Sequence, residues 1–223
     1  MRKLMILLVV TACLGMVAGD ATAGWRDRKP SIKGSGDLVS EVREVDNFNH
    51  IHINGAFDVH VRIGPAPSLE VTFDDNLIDR VVTRQRRNTL LLDLKGEMDV
   101  DRSCLAEITV PSLEELSIDG AADVEIVDFR GETFEYVLHG AGNLTISGTV
   151  EDLEIDLHGA GSVDARDLIA QNADVSLPGA GSIDVHVKQN LRAQLTGVGS
   201  IDYWGDPEHV RDRVSGIGSI DEH

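Results

Sequence analysis

The sequence has little cysteine, few aromatic residues and little positive charge, and each shortage narrows the class of protein it can be. Two cysteines, Cys13 and Cys104, exclude a small domain held together by several disulfides. Aromatic residues make up only 4% of the chain, which leaves few platforms for stacking sugars or bases. Acidic side chains outnumber basic ones by 38 to 20, so the net charge is −18. Such a surface repels nucleic acid and anionic lipid headgroups and favours cations and basic partners.

Long apolar runs are also missing, and the one short run lies at the N-terminus in the layout of a secretory signal peptide. Arg2 and Lys3 precede an apolar run over residues 4–10, and a small-residue stretch ends at Ala23. A membrane-spanning helix needs about 20 apolar residues, so we predict a signal peptide over residues 1–23, cleaved after Ala23. A lipoprotein alternative stays open, because Val10–Cys13 resembles a lipobox and would place the lipid on its cysteine. Either route predicts export to the periplasm or the cell surface.

Cleavage after Ala23 changes the charge and the cysteine chemistry of the mature chain. It would leave 18 basic and 37 acidic side chains, a net charge of −19, and Cys104 as the remaining cysteine. An intramolecular disulfide is then excluded, so stability must come from burial. Residues 24–36 are polar and rich in Gly and Ser, which predicts a flexible leader. We expect one domain over residues 37–223, with no transmembrane segment after signal cleavage.

A glycine-centred motif recurs through the second half of the chain. Aligned on their first glycines, six copies lie 20, 19, 20, 18 and 19 residues apart, and a divergent seventh copy is centred on Gly55. We interpret these glycines as tight corners, which need positive φ or close approach of neighbouring backbone. A phosphate-binding loop would instead open onto a helix, and no helix follows these corners. The corner glycines are Gly120, Gly140, Gly142, Gly159, Gly161, Gly179, Gly181, Gly197, Gly199, Gly216 and Gly218.

Apolar and polar residues alternate on both sides of each corner, with the period of two typical of strands that bury one face. We expect the side chains two, four and six positions before each corner glycine to point inward, as at Leu138, Tyr136 and Phe134. Those four and six positions after it should also point inward, as at Val124 and Ile126. A repeat of 19 or 20 residues is too short for a strand-helix-strand crossover but fits one turn of a β-solenoid.

The predicted fold is therefore all-β: a parallel β-solenoid of about seven coils with a 19–20 residue repeat. Between residues 57 and 118 the repeat is less regular, and strand-like runs there are separated by turns. Residues 76–87 fit either a short helix or a wide loop. We interpret this stretch as a broader N-terminal end with antiparallel pairing, which would cover that edge of the solenoid.

These residues carry a family resemblance. The Gly-[Ala/Val/Ile]-Gly-[Ser/Asn]-[Ile/Val/Leu] corners, the segment Val110–Leu116, and Asp75–Leu77 followed by Thr89–Leu92 resemble proteins of the head-GIN domain family. The resemblance covers residues 37–221 and departs from the pattern at Ala122 and Asp123. It implies a parallel β-solenoid in exported bacterial proteins that carry an auto-transporter adhesin label. It implies no functional residues, because fold alone does not fix function.

Four aspartates occupy one column, five positions after the first corner glycine: Asp164, Asp184, Asp202 and Asp221. We expect an outward row that is a solvated acidic face, in which water and salt screen the repulsion. The alternative is a weak Ca²⁺ site, since stacked carboxylates supply hard oxygen ligands. Otherwise we predict no catalytic, cofactor-binding or metal-ligating residues, and no cofactor.

Other chemically capable residues have plainer interpretations. His139 and His158 share a column before the corner, but zinc generally takes three or four protein ligands. Cys104 lacks the setting of a catalytic thiol and is expected to be buried. The basic cluster Arg84, Arg86 and Arg87 is either a solvated face or a contact surface for an anion. Tyr203 and Trp204 are candidate exposed aromatics on which a sugar could stack.

The sequence favours a non-catalytic envelope or surface scaffold that binds an unknown protein or glycan partner in an adhesin-like manner. One alternative is a periplasmic partner-binding module that regulates an envelope sensor. Another, less favoured, is a polysaccharide-active β-helix enzyme. Such an enzyme needs an acid and a base carboxylate in a groove walled by long loops, and the corners of this chain are too short to form such walls. At the C-terminal end, the charged segment 206–213 should either fray or dock edge-on to a second copy or partner, which gives an edge-on homo-oligomer as one outcome.

Overall fold

Alternation at period two and glycine corners produce strands over most of residues 31–223, the part of the chain that the computed structural model describes. The predicted signal peptide, the Cys13 alternative and the first part of the leader lie outside these residues. A short 3-10 helix spans Ile78–Arg80, and the strands in chain order are β1 Ile32–Lys33, β2 Leu38–Arg43, β3 His50–Asn54, β4 Ala56–Ile63, β5 Ser68–Asp74, β6 Val81–Arg86, β7 Thr89–Leu94, β8 Met98–Asp99, β9 Cys104–Val110, β10 Glu115–Ile118, β11 Ala121–Leu138, β12 Ala141–Leu157, β13 Ala160–Leu177, β14 Ala180–Leu195, β15 Val198–Trp204, β16 His209–Val214 and β17 Ile217–Glu222.

The strands form two faces that meet at the glycine corners. The post-corner face runs β2, β5, β9, β4, then the first parts of β11 to β14, then β15 and β17. The pre-corner face runs β6, β7, β3, β10, then the second parts of β11 to β14, then β16. From β4 and β3 onward all pairing is parallel. This confirms the all-β parallel solenoid.

The number of turns corrects the expected count of about seven, because the solenoid has about five. The complete turns begin at the corners of Gly120, Gly140, Gly159, Gly179 and Gly197. The copy at Gly55 begins no further turn, since β4 leads into the antiparallel strand β5 instead of returning to the pre-corner face. The copy at Gly216 is followed only by β17, which is half a turn. The glycine motif therefore identifies a corner of the chain, but a corner is not always followed by a complete turn of the solenoid.

The core lies between the two faces, and the inward columns predicted from alternation are confirmed. From Val124 to Tyr203 the predicted inward positions are buried, with Leu138 and Leu157 at 0% exposure and Tyr203 at 8%. In the last coil, Val210, Asp212 and Val214 occupy the inward column of β16 and are exposed. The second corner of each coil is less regular than the first, with register shifts such as the one between Ile126 and Phe129. There the chain still turns an apolar side chain inward, as at Phe129 and Leu168.

The N-terminal end is the broader, antiparallel-containing end that the sequence predicted. β5 pairs antiparallel with both β9 and β2, and β6 pairs antiparallel with β7. Residues 76–87 are neither a helix throughout nor a wide loop: after the 3-10 helix they form β6, because Val81–Arg86 finds a pairing edge on β7. Within the predicted leader, Ile32–Lys33 pairs with Met98–Asp99.

The glycine corners stack so closely that a side chain has no room. A Cβ on Gly140 would overlap the carbonyl oxygen of Gly120, and one on Gly161 would overlap that of Gly142. Each corner amide also bonds to the coil before it, as Ala160 N–H does to Gly140 O at 3.0 Å. Close backbone approach, rather than positive φ, therefore explains most of these glycines.

One core residue carries a polar group that the fold does not satisfy. The hydroxyl of Tyr136 is buried and has no hydrogen-bond partner among the described residues, and burial raises the pKa of Tyr136 above its ordinary value. A buried unpaired polar group costs about 1–3 kcal/mol. We expect Tyr136→Phe to raise the free energy of unfolding by about 1 kcal/mol, measured by denaturant titration. Tyr203→Phe is the matched control, because the Tyr203 hydroxyl bonds to Glu222 at 3.3 Å. A loss of stability in Tyr136→Phe would contradict this assignment.

Candidate binding surface

The four predicted aspartates do form one row on the post-corner face. Asp164 is in register with Asp184, Asp184 with Asp202, and Asp202 with Asp221. One cationic side chain, that of Arg166, reaches into the row. The Arg166 Nε donates to Asp164 at 2.9 Å and lies 3.8 Å from Asp184.

The pKa values of Asp164 and Asp184 shift in opposite directions. The hydrogen bond from Arg166 holds the pKa of Asp164 below its ordinary value. The pKa of Asp184 is raised, mainly by partial burial and also by its neighbours Asp202 and Asp164. Asp202 lies 2.8 Å from the His223 ring nitrogen. Within residues 31–223 no three His, Cys, Asp or Glu side chains converge as a metal site would require.

For calcium, we expect a weak interaction with this row. Arg166 already occupies oxygens that a Ca²⁺ ion would need, so the dissociation constant should be about 1 mM or weaker. Calorimetric titration of the wild-type protein and of Asp184→Asn/Asp202→Asn measures this directly. Micromolar binding that disappears in the double variant would show that the row is a true calcium site.

A second polar cluster surrounds Asp119 on the pre-corner side. Its carboxylate lies 3.3 Å from His52 and 3.1 Å from His139, and His52 also bonds to Ser117 at 2.8 Å. The order Ser117, His52, Asp119 is that of a hydrolytic triad. Ser117 sits in a strand paired on both sides, however, so its N–H belongs to the sheet and cannot stabilise an oxyanion. The His139 ring stacks on His158, with centroids 5.1 Å apart.

The aromatic and basic residues that the sequence singled out are separated in the fold. Tyr203 is buried at 8% exposure and offers no stacking surface, so its interpretation as an exposed aromatic is wrong. Trp204 stacks on the His223 ring at 4.8 Å, which covers one face of the indole. Arg84 and Arg86 lie exposed on the edge strand β6, and Arg87 is in the turn after it. Cys104 is buried, which raises the pKa of its thiol to about 12 and leaves it un-ionised at neutral pH.

A groove of about 1100 Å³ runs along the pre-corner face. One outward column of the sheet runs through it, and consecutive members come from consecutive strands. In order from the N-terminal end this charge ladder is Glu115, Glu135, Glu154, Asp174, Arg192 and Arg211.

The charge ladder is acidic over four strands and basic over two. Asp174 is 3.6 Å from Arg192, and Glu115 is 3.2 Å from His50, so both ends of the acidic part have partners. Between them, the pKa of Glu135 is raised by partial desolvation and then by Glu154 and Glu115. Burial and neighbouring carboxylates both disfavour the charged form of a carboxyl group, so a cation beside Glu135 would be stabilising. Sequence reasoning missed this ladder, although its members follow the corner spacing.

Comparison with known proteins supports the fold. A “putative adhesin” from Bacteroides fragilis has a TM-score of 0.66 and 23% identity, covering 86% of this chain and 100% of its own. A “putative lipid binding protein” from Parabacteroides distasonis has a TM-score of 0.55 and 23% identity, with coverages of 87% and 100%. A “putative adhesin” from Parabacteroides merdae has a TM-score of 0.51 and 20% identity, with coverages of 86% and 99%. At these identities the likeness shows the fold alone.

Sequence comparison identifies the family. No curated protein matches the chain significantly. In residues 31–223 there is no helix of the length and hydropathy that crossing a membrane requires. The sequence profile of one family matches residues 47–207, from before the Gly55 corner to just before β16, which agrees with the resemblance carried by the corner residues. The chain therefore belongs to the family described as “Putative auto-transporter adhesin, head GIN domain”.

Proposed function

We propose that this protein is an exported, non-catalytic, adhesin-like binding protein of the cell envelope that holds a basic partner in its pre-corner groove. The observation that carries the proposal is the charge ladder, in which carboxylates of four successive strands line one groove. Because these strands stack about 4.8 Å apart, the carboxylates form a linear array of negative charge that is complementary in sign to a segment rich in Lys or Arg. The Arg192 and Arg211 end would set the orientation of that segment.

The non-catalytic part of the proposal has two supports. The family is described as “Putative auto-transporter adhesin” and two of the compared structures as “putative adhesin”, and adhesins act by binding. The groove also lacks the walls of an active site, since its lining comes from strand residues and short connections. Export rests on the signal-peptide layout of residues 1–23.

The test is binding of a fluorescent decalysine peptide, followed by anisotropy at low salt. We expect Glu135→Gln/Glu154→Gln to weaken binding by about fivefold to tenfold, since two attractive pairs of modest strength are lost. Glu132→Gln/Glu151→Gln is the matched control: it removes the same charge from exposed positions on the same two coils, outside the groove. Its affinity should change by less than about twofold.

Equal weakening in both double variants would mean that the peptide senses only net charge, and the groove assignment would fail. If neither variant weakens binding, the partner surface lies elsewhere. Measuring where the protein lies distinguishes a surface adhesin-like protein from the alternative, a periplasmic module that regulates a sensor. Only a surface protein is reachable from outside an intact cell.

A further inference from the structure

The solenoid exposes four edge strands, and they differ in how they are protected. Within residues 31–223, β2, β6, β16 and β17 each pair along one edge only. Exposed edges invite pairing with other chains, and natural proteins commonly guard them with charge. The outward column of β6 carries Arg84 and Arg86, that of β16 carries Arg211 and Arg213, and that of β17 carries Asp221.

β2 is the edge strand without that protection. Its outward column is Leu38, Ser40 and Val42, opposite Asp74, Thr72 and Glu70 of β5. Leu38 is 46% exposed and Val42 is 77% exposed, the highest value among the large apolar side chains of residues 31–223. The two charges of the strand cancel locally, because Arg43 is 2.6 Å from Glu41. An apolar, locally neutral edge is thus open on a strongly acidic protein.

The sequence of this edge is complementary to itself. In an antiparallel pair centred on Ser40, Leu38 of one copy faces Val42 of the other, and the same contact recurs across the two-fold axis. The next pair outward joins Asp37 to Arg43 of the other copy, again twice. The two neighbouring registers that keep the outward column aligned are worse. Centring on Glu41 opposes two glutamates, and centring on Val39 opposes Asp37 to Glu41.

We infer that β2 is a homodimer interface, in which two copies pair antiparallel about Ser40 and join their post-corner faces into one sheet. Apolar cross-strand contacts, opposite charges and free backbone groups all meet in this single register. The interface lies at the opposite end of the solenoid from β16 and β17, and it does not rest on the proposed binding function. It leaves the pre-corner groove of each copy open.

The register predicts a specific cross-link in the mature chain, residues 24–223. Ser40→Cys places a thiol on the two-fold axis opposite its own copy, so mild oxidation should give a disulfide-linked dimer in most of the protein. Val39→Cys is the control, because in this register residue 39 faces Glu41 and not itself. The native thiol does not interfere, since Cys104 is fully buried. A monomeric Ser40→Cys protein, or equal cross-linking of both variants, would overturn the inference.

Oligomeric state gives a second, independent readout by sedimentation velocity. Val42→Lys should raise the dimer dissociation constant by about tenfold or more, because the loss of apolar contact acts twice across the two-fold axis. Val214→Lys, on the edge strand β16 and 44% exposed, should leave it unchanged. A dimer lost only in Val214→Lys would place the interface at the C-terminal end. A monomer that dimerises only after removal of residues 24–30 would show that the leader covers β2 instead.

Discussion

Gly161→Ala is expected to destabilise the protein by about 3 kcal/mol, the upper end of the usual range for overpacking. The added methyl group would overlap the Gly142 carbonyl oxygen and come within 3.2 Å of a Leu138 methyl carbon. The obstacle is backbone that belongs to the stacking of two coils, so it cannot rotate away as a side chain would. For a domain of this size the melting temperature should fall by about 10 °C.

The control is the neighbouring Ala160→Val, in the middle of the same corner. That position is exposed, and it is occupied by Val198 and Ile217 in later coils. We expect the control to change stability by less than about 0.5 kcal/mol, as surface substitutions usually do. At unstrained positions Gly→Ala often stabilises a protein by reducing the entropy of the unfolded chain, so the sign of the stability change distinguishes the two cases. If Gly161→Ala were as stable as Ala160→Val, close stacking of the corners would not be what requires glycine.

Deleting residues 206–223 should lower the melting temperature by about 10 °C, corresponding to about 4 kcal/mol. The deletion removes β16 and β17, which pair with β14 and β15. Buried side chains of those strands, among them Leu191, Leu195 and Ile201, would lose cover on one side. Asp212 stands in the inward column beside Ala193, so the last coil contributes less than an earlier one.

Thermal unfolding with light scattering checks this, and the chain that ends at His223 is the reference. The oligomeric state should be unchanged if dimers form through β2. If the deleted protein keeps both its melting temperature and its oligomeric state, the terminal strands neither cap the solenoid nor join it to anything. A change in oligomeric state alone would instead support docking at the C-terminal edge.

The solenoid could be predicted from sequence because its strongest constraints are local. Alternation at period two assigns Tyr136 and Ile155 to the interior without any knowledge of pairing, and burial of both confirms it. Corner glycines at a regular spacing then define the coil length. The number of turns was harder, because Gly55 has the local sequence of a corner while the strand after it continues into antiparallel pairing.

The binding surface was less accessible because it depends on pairing between strands. Glu135 and Glu154 belong to one ladder only once the register of β11 and β12 is known. Their spacing equals that of the corners, so aligning outward columns as well as inward ones would have revealed the ladder. The exposure of Val42 was beyond such reasoning, since β2 reaches the edge through antiparallel pairing with β5, which no repeat encodes.

An adhesin-like role at the surface requires that the protein be reachable from outside the cell, and protease accessibility in intact cells measures this. A protease site followed by an epitope, placed after His223, avoids relying on cleavage of the folded solenoid. We predict that protease added to intact cells removes the epitope, while a periplasmic marker in the same cells stays uncut. Retention of the epitope until the outer membrane is opened would contradict a surface role and favour the periplasmic partner-binding module.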